Sequence, residues 1–222
     1  MLSIAGMRTR MTEKRPEILA LILAGGLARR LEGRAKPLLR LGGRRLIDLV
    51  AATARAQCGA VALSLHDLAP ETVAPFADLG LAVAADAAPG RLGPLAGVLG
   101  GLDFAAARHP GAEFVLSLPC DGPFLPDDLA ARLLAAARQT KSGLARAASG
   151  GRIHPVVALW PLRLREELRH ALVEQDFRAV GEFQDRYDIA TVQWPVTQRD
   201  PFFNINTPDD LARAEKALTD GA

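Results

Sequence analysis

The sequence predicts an α/β fold of three layers, a doubly wound, mostly parallel sheet held between helices. Three observations carry that expectation. Ile18 to Ala24 is an unbroken apolar run that ends at Gly25 and Gly26, the pattern of a strand buried on both faces of a parallel sheet. Apolar runs of strand length then alternate with segments of helical period as far as residue 140, which is βα repeated. The chain has 222 residues, 49% of them apolar, enough for one sizeable core.

In chain order, residues 1–16 are polar and basic and are expected to form a disordered extension, with Met11 an equally good start. The rest, 17–222, reads as a single domain. After the first strand come four cations within eight positions, Arg29, Arg30, Arg34 and Lys36. Pro37 to Gly43 is a short extended segment and turn. Leu46, Ile47, Leu49, Val50 and Ala54 recur at helical spacing over Arg45 to Gln57, with Gly59 as the stop. Ala60 to Leu65 is a second strand leading to His66 and Asp67. Glu71 to Leu79 is a short helix, and Leu81 to Ala85 a third strand ending at Asp86. Leu95 to Arg108 is a helix. Glu113 to Leu118 is a fourth strand that runs into Pro119, Cys120 and Asp121. Pro126, Asp127 and Asp128 open a helix to Gln139, with proline and acids in its first turn.

The later part changes style near residue 142. Gly143 to Ser149 and Arg152 to Trp160 read as strands joined by Gly150 and Gly151. Pro161 to Val173 reads as a helix, Gln175 to Tyr187 as a loop and short helix, and Ile189 to Trp194 as a strand. Thr207, Pro208, Asp209 and Asp210 cap a final amphipathic helix to Leu218.

Composition excludes several classes. The net charge is only +2, and the cations gather at 29–45, which suits a small anionic substrate better than nucleic acid. Aromatic residues make up 5%, without a stacking platform for bases. Cys58 and Cys120 have neither metal spacing nor a disulfide framework, so a reducing cytoplasm is the simplest setting. The sequence has no apolar run of the roughly 18–20 residues needed to span a membrane, and no apolar segment suited to secretion.

A buried strand that empties into glycines and then cations is a phosphate-binding arrangement. It is neither G-x-G-x-x-G nor the P-loop, because the glycine spacing of Gly25, Gly26 and Gly33 and the sequence around Lys36 fit neither. Lys36 and Arg30 are the phosphate partners expected here, one a point charge and one a planar fork. Arg29 and Arg34 are equally well read as solvated. Asp86 and Asp121 stand at the carboxyl ends of strands, the edge where ligands bind in such sheets. A single carboxylate at Asp121 suits Mg²⁺, which takes few protein ligands beside phosphate oxygens. Asn204 and Asn206 alternate, so on a strand both amides face one side; turn chemistry before the last helix is the other reading. His154 is as readily structural as functional.

Leu23-Ala24-Gly25-Gly26, then Arg29-Arg30, Gly33 and Lys36, together with Gly93-Pro94-Leu95-Ala96-Gly97, resemble the MobA family, the molybdenum cofactor guanylyltransferases. The chain departs from that pattern at Glu32, where glycine is usual, at Ala35, where aspartate is common, at Leu31 for methionine, and at His66 for asparagine. The resemblance implies a GT-A-like nucleotidyltransferase fold and transfer of GMP from GTP to molybdopterin, with Mg²⁺ and release of pyrophosphate. It implies catalytic roles for Lys36, Arg30 and Asp121, with Asp121 on the metal. Nucleotide contacts would come from Leu23, Ala24, Gly25, Gly26, Lys36, His66, Asp86 and Asp121, in a part spanning about 17–140. His154, Asn204 and Asn206 would serve the acceptor, in a part spanning about 141–222. Partners would be GTP, a molybdopterin-type acceptor and other proteins of molybdenum cofactor biosynthesis. Two alternatives stay open: a cytidylyl- or sugar-phosphate nucleotidyltransferase of the same fold, and a nucleotide-binding homologue without catalysis.

Overall fold

The structure is a computed structural model that describes residues 14–25, 35–87 and 93–219. Strand β1 (Arg15–Leu23) is followed by a 3-10 turn (Lys36–Leu38) and a small hairpin of β2 (Arg40–Leu41) and β3 (Arg44–Arg45). Then come α1 (Leu46–Gln57), β4 (Cys58–Leu65), α2 (Pro70–Val73), β5 (Ala82–Ala85), α3 (Pro94–Arg108) and β6 (Phe114–Pro119). The remainder is α4 (Leu129–Ala137), β7 (Leu144–Ser149), β8 (Arg152–Pro161), α5 (Arg165–Val173), α6 (Val180–Gln184), β9 (Ile189–Trp194) and α7 (Pro208–Thr219).

Seven strands form one sheet in the order β5-β4-β1-β6-β8-β7-β9. β1 pairs in parallel with β4 and β6, β4 with β5, and β7 with β9. β8 alone runs against its neighbours β6 and β7. The mostly parallel α/β sandwich expected from the sequence is therefore what forms. Every side chain from Ile18 to Ile22 is fully buried. Ile18, Ala20 and Ile22 pack with Ile47 and Val50 of α1 and Leu129 and Leu133 of α4. Leu19 and Leu21 pack on the other face with Leu95 and Leu99 of α3 and Leu168 of α5. Burial on two faces is why this strand tolerates no polar alternation.

Helix α3 lies unusually close to the sheet. A Cβ on Gly100 would fall 2.2 Å from the Ala85 carbonyl oxygen, and one on Gly101 2.3 Å from Leu21 Cδ2. A smaller apolar group joins Leu39, Leu41 and Leu46 to Ile205 and Ala214, fastening α7 beside the β2–β3 hairpin. No helix of the described residues is long and apolar enough to cross a membrane.

Several local expectations need correction. β1 starts at Arg15, so the last two residues assigned to the extension belong to the sheet; residues 1–13 lie outside the described residues. Gly59 does not stop a helix: it sits inside β4, where a Cβ would meet the Pro16 backbone at 2.7 Å. Pro161 closes β8, and a 3-10 turn over Leu162–Leu164 precedes α5. The β7–β8 hairpin forms as predicted, with Gly150 and Gly151 at φ +53° and +75°, a turn that glycine favours. Its register slips, however: Arg146 faces Ala158, while Ala147 faces His154. Pro155, which has no N–H to give to a ladder, lies in that bulge. Residues 203–206 form no strand, so Asn204 and Asn206 are placed by a loop.

Candidate active site

Because β1, β4, β5 and β6 are parallel, their carboxyl ends open on one edge, and the connections leaving them converge there. A cavity of about 430 Å³ lies at that edge. Leu23, Ala24 and Gly25 line it from the end of β1, Ser64 and Asp86 from β4 and β5, and Pro119, Cys120 and Asp121 from β6. The Gly93, Pro94 and Gly97 start of α3 forms another wall, with Val156 of the β8 bulge, Lys36 and Asn204 completing the lining. The first loop is pressed onto β4: the Ala24 amide donates to the Ser64 carbonyl at 3.0 Å. A Cβ on Gly25 would lie 2.7 Å from the His66 nitrogen, so glycine is required by close approach.

Lys36 is the centre of the polar wall. Its Nζ donates to Asp121 Oδ2 at 2.6 Å and to Asn206 Oδ1 at 2.5 Å. The Lys36 and Asp121 side chains are 16% and 13% exposed, so this pair is poorly screened by water. The Ile205 amide donates to the Asp121 carbonyl at 3.0 Å, which holds the loop bearing both asparagines against the end of β6. Behind it, Asp210 Oδ2 accepts the Asn206 and Thr207 amides, each at 2.9 Å, and Thr207 Oγ1 accepts the Asp210 amide at 3.1 Å. The cap expected at the start of α7 thus fixes Asn206.

Asp86 sits on the opposite wall, where Ser64 Oγ donates to its Oδ1 at 3.2 Å. Burial raises its pKa above the ordinary carboxylate value, opposed by the Ser64 hydrogen bond and by charge at His66. Burial, reinforced by the charge of Asp121, pushes the Cys120 thiol to about 12. It remains protonated at neutral pH and serves as an apolar part of the wall, not as a nucleophile.

The sequence expectations meet this geometry unevenly. Leu23, Ala24, Gly25, Lys36, Asp86, Asp121 and Asn204 line this cavity. Asn206 reaches it through Lys36. Gly26 and Arg30, with Arg29, Gly33 and Arg34, lie outside the described residues. His66 turns its Nε2 to Asp67 Oδ2 at 2.9 Å, and His154 turns its Nε2 to Ser149 Oγ at 2.8 Å. Neither is among the described residues that line the cavity. Sequence reasoning missed Ser64. A polar residue within the apolar run of β4 was the available signal, because such a group is buried only with a partner.

The donor set bears on a metal. Among the described residues no three His, Cys, Asp or Glu side chains gather into a cage. The cavity instead offers isolated carboxylates, Asp121 and Asp86. That fits a divalent ion drawing most of its oxygens from phosphates and water.

Comparisons with known proteins bear on the family and the fold. A family model described as MobA-like NTP transferase domain matches residues 20–189. A molybdenum cofactor guanylyltransferase of Bradyrhizobium sp. (strain ORS 278) is 52% identical over 196 residues, covering 88% of this chain and 91% of the relative. The crystal structure of a molybdopterin-guanine dinucleotide biosynthesis protein A from Archaeoglobus fulgidus superposes with a TM-score of 0.70 at 22% identity, over 91% of this chain and 99% of the other. A 2-C-methyl-D-erythritol 4-phosphate cytidylyltransferase from Thermus thermophilus gives 0.62 at 25% identity, over 91% and 99%.

Proposed function

This chain belongs to the MobA-like NTP transferase family, and from that premise we propose that it transfers GMP from GTP to a molybdopterin-type acceptor and releases pyrophosphate. The observation that carries the reading is the bridge from Lys36 to Asp121 and Asn206 at the mouth of the cavity. It joins the cation of the first loop, the carboxylate after β6 and an amide of the C-terminal loop at one point.

In the reaction, an oxygen of the acceptor phosphate bonds to the α-phosphorus of GTP as the α–β bridging bond breaks. The electron pair leaves with pyrophosphate. The attacking phosphate is already anionic at neutral pH, so no general base is needed; catalysis rests on alignment and on stabilising charge. Lys36 exchanges Asp121 for a triphosphate oxygen and offsets the charge growing on the leaving group. Asp121, freed from the ammonium, would hold Mg²⁺. When bound, the ion supplies charge neutralisation across the triphosphate oxygens. Gly25 and the start of α3 admit the nucleotide closely, and Asp86 with Ser64 offers hydrogen-bonding groups on the far wall. Asn204 faces the acceptor, having both a donor and an acceptor for an amide-like edge.

The test is pyrophosphate release by purified protein with Mg²⁺ and molybdopterin, comparing GTP, CTP, ATP and UTP. Turnover with GTP at least tenfold above the others supports the reading. Preference for CTP, or nucleotide binding without turnover, would replace it.

A further inference from the structure

Behind the cavity, Ser149 is a fully buried polar residue at the end of β7. Its hydroxyl is shared by two partners. Ser149 Oγ donates to Asp200 Oδ1 at 2.6 Å, and His154 Nε2 lies 2.8 Å from Ser149 Oγ. A carboxylate only accepts, so the single hydroxyl proton goes to Asp200, and the imidazole must donate its Nε2 proton to Ser149. The direction of the chain is therefore His154 to Ser149 to Asp200. Asp200 Oδ1 also accepts the Phe202 amide at 2.9 Å, and the Asp200 carbonyl accepts the Phe203 amide at 3.2 Å. The Phe202 ring is buried, 4.9 Å from His154 and 5.3 Å from Trp194 between centroids.

These contacts fix one end of the segment 200–206. Its other end is fixed by the Ile205 amide on the Asp121 carbonyl and by the cap at Thr207 and Asp210. Between the two anchors stands Asn204, on the cavity wall. We propose that His154, Ser149 and Asp200 are positioning residues for transfer, acting through the 200–206 segment to set Asn204 against the acceptor, and that His154 does not itself touch substrate. The inference rests on the guanylyl-transfer reading for its substrates, while its geometry does not. The chain gives the buried Ser149 hydroxyl both a donor and an acceptor, the condition under which a polar group is kept away from water.

The substitutions Ser149→Ala, Asp200→Ala and His154→Ala cut the chain at each link. Asp200→Asn keeps an oxygen that accepts both hydrogen bonds, and His154→Gln keeps a donor at the reach of Nε2. With GTP and molybdopterin as substrates, the alanine variants should lose about tenfold in kcat/KM for the acceptor, the scale of one hydrogen bond. Their GTP affinity by calorimetry should stay within about twofold. Asp200→Asn and His154→Gln should recover most of the loss, which a general fall in stability would not do. Hydrogen exchange gives a readout apart from activity: the Phe202 and Ile205 amides should exchange about tenfold faster in Ser149→Ala, with β1 and β6 unchanged. Unchanged exchange overturns the anchor. Acceptor use and GTP affinity falling together overturn the positioning role, as does a His154→Gln protein no better than His154→Ala. If the wild type transfers no GMP to molybdopterin, the functional reading fails, and the exchange experiment alone decides the anchor.

Discussion

Replacing Lys36 with alanine separates the contact this side chain makes in the structure from the phosphate-binding role proposed for it. Without nucleotide, its ammonium bonds Asp121 and Asn206. Asp121 lines the cavity but is only 13% exposed, so water replaces the ammonium incompletely, and the variant should lose about 1–3 kcal/mol of folding stability. In the proposed reaction the same ammonium would meet a triphosphate oxygen, and among the described residues it is the one cation that lines the cavity. One charge-assisted hydrogen bond of that kind contributes about 1.5–3 kcal/mol, so kcat/KM for GTP should fall about 10- to 150-fold. Both terms should move: KM rises because ground-state binding weakens, and kcat falls because charge grows on the leaving group. Pyrophosphate release at varied GTP, calorimetric GTP affinity and urea unfolding measure the three quantities. A kcat/KM within about twofold of wild type, roughly 0.4 kcal/mol, would refute the assignment of Lys36 to the phosphates. A stability loss of several kcal/mol with unchanged activity per folded molecule would show the lysine to be a structural bolt.

The two asparagines should behave differently. Asn204→Ala should impair acceptor use with GTP affinity unchanged, whereas Asn206→Ala, having lost its bond from Lys36, should weaken both; single-turnover transfer beside GTP calorimetry separates them. Gly100→Ala should destabilise the fold by about 1–3 kcal/mol in urea unfolding, because its Cβ would meet the Ala85 carbonyl at 2.2 Å. In an open helix the same change stabilises by about 1 kcal/mol, so the sign alone tests the packing of α3. Asp86 has a raised pKa in the folded state, so its contribution to stability is full below the ordinary value of 3.8 and is lost as pH rises through the folded value. Asp86→Asn should therefore be more stable than wild type at pH 7, with the difference closing as pH falls through the raised folded value toward 3.8; stability curves that stay parallel from pH 3 to 7 would contradict the buried placement.

The elements that sequence made legible are those whose residues answer to one demand. Ile18 to Ile22 had to be continuously apolar because two helical layers cover them. The α7 cap was readable because Thr207 and Asp210 satisfy amides within their own turn. Lys36, Asp86 and Asp121 were legible as a group through strand polarity alone, since parallel strands carry their ends to one edge. What stayed hidden depends on partners distant in sequence. Gly59 looks like a helix stop until Pro16 is seen against it. The bulge at Pro155 follows from pairing between β7 and β8. Asn204 and Asn206 alternate in sequence as on a strand, yet a loop anchored to Asp121 and Asp200 places them. Ser149 and Asp200, 51 residues apart, gave no local sign of meeting.

The antiparallel strand β8 has a consequence for modularity. It is hydrogen-bonded to β6 on one side and, with a bulge, to β7 on the other, so the strands of the first part and those of the second belong to one sheet. Such a sheet has no hinge, and the two parts cannot swing apart as bodies. Nor can the first be taken out as a portable nucleotide-binding unit. Cutting the gene after residue 140 would strip β6 of β8 and leave Val115, Leu116 and Ser117, all buried in the intact protein, on a raw sheet edge open to aggregation. The two parts should melt in a single calorimetric transition.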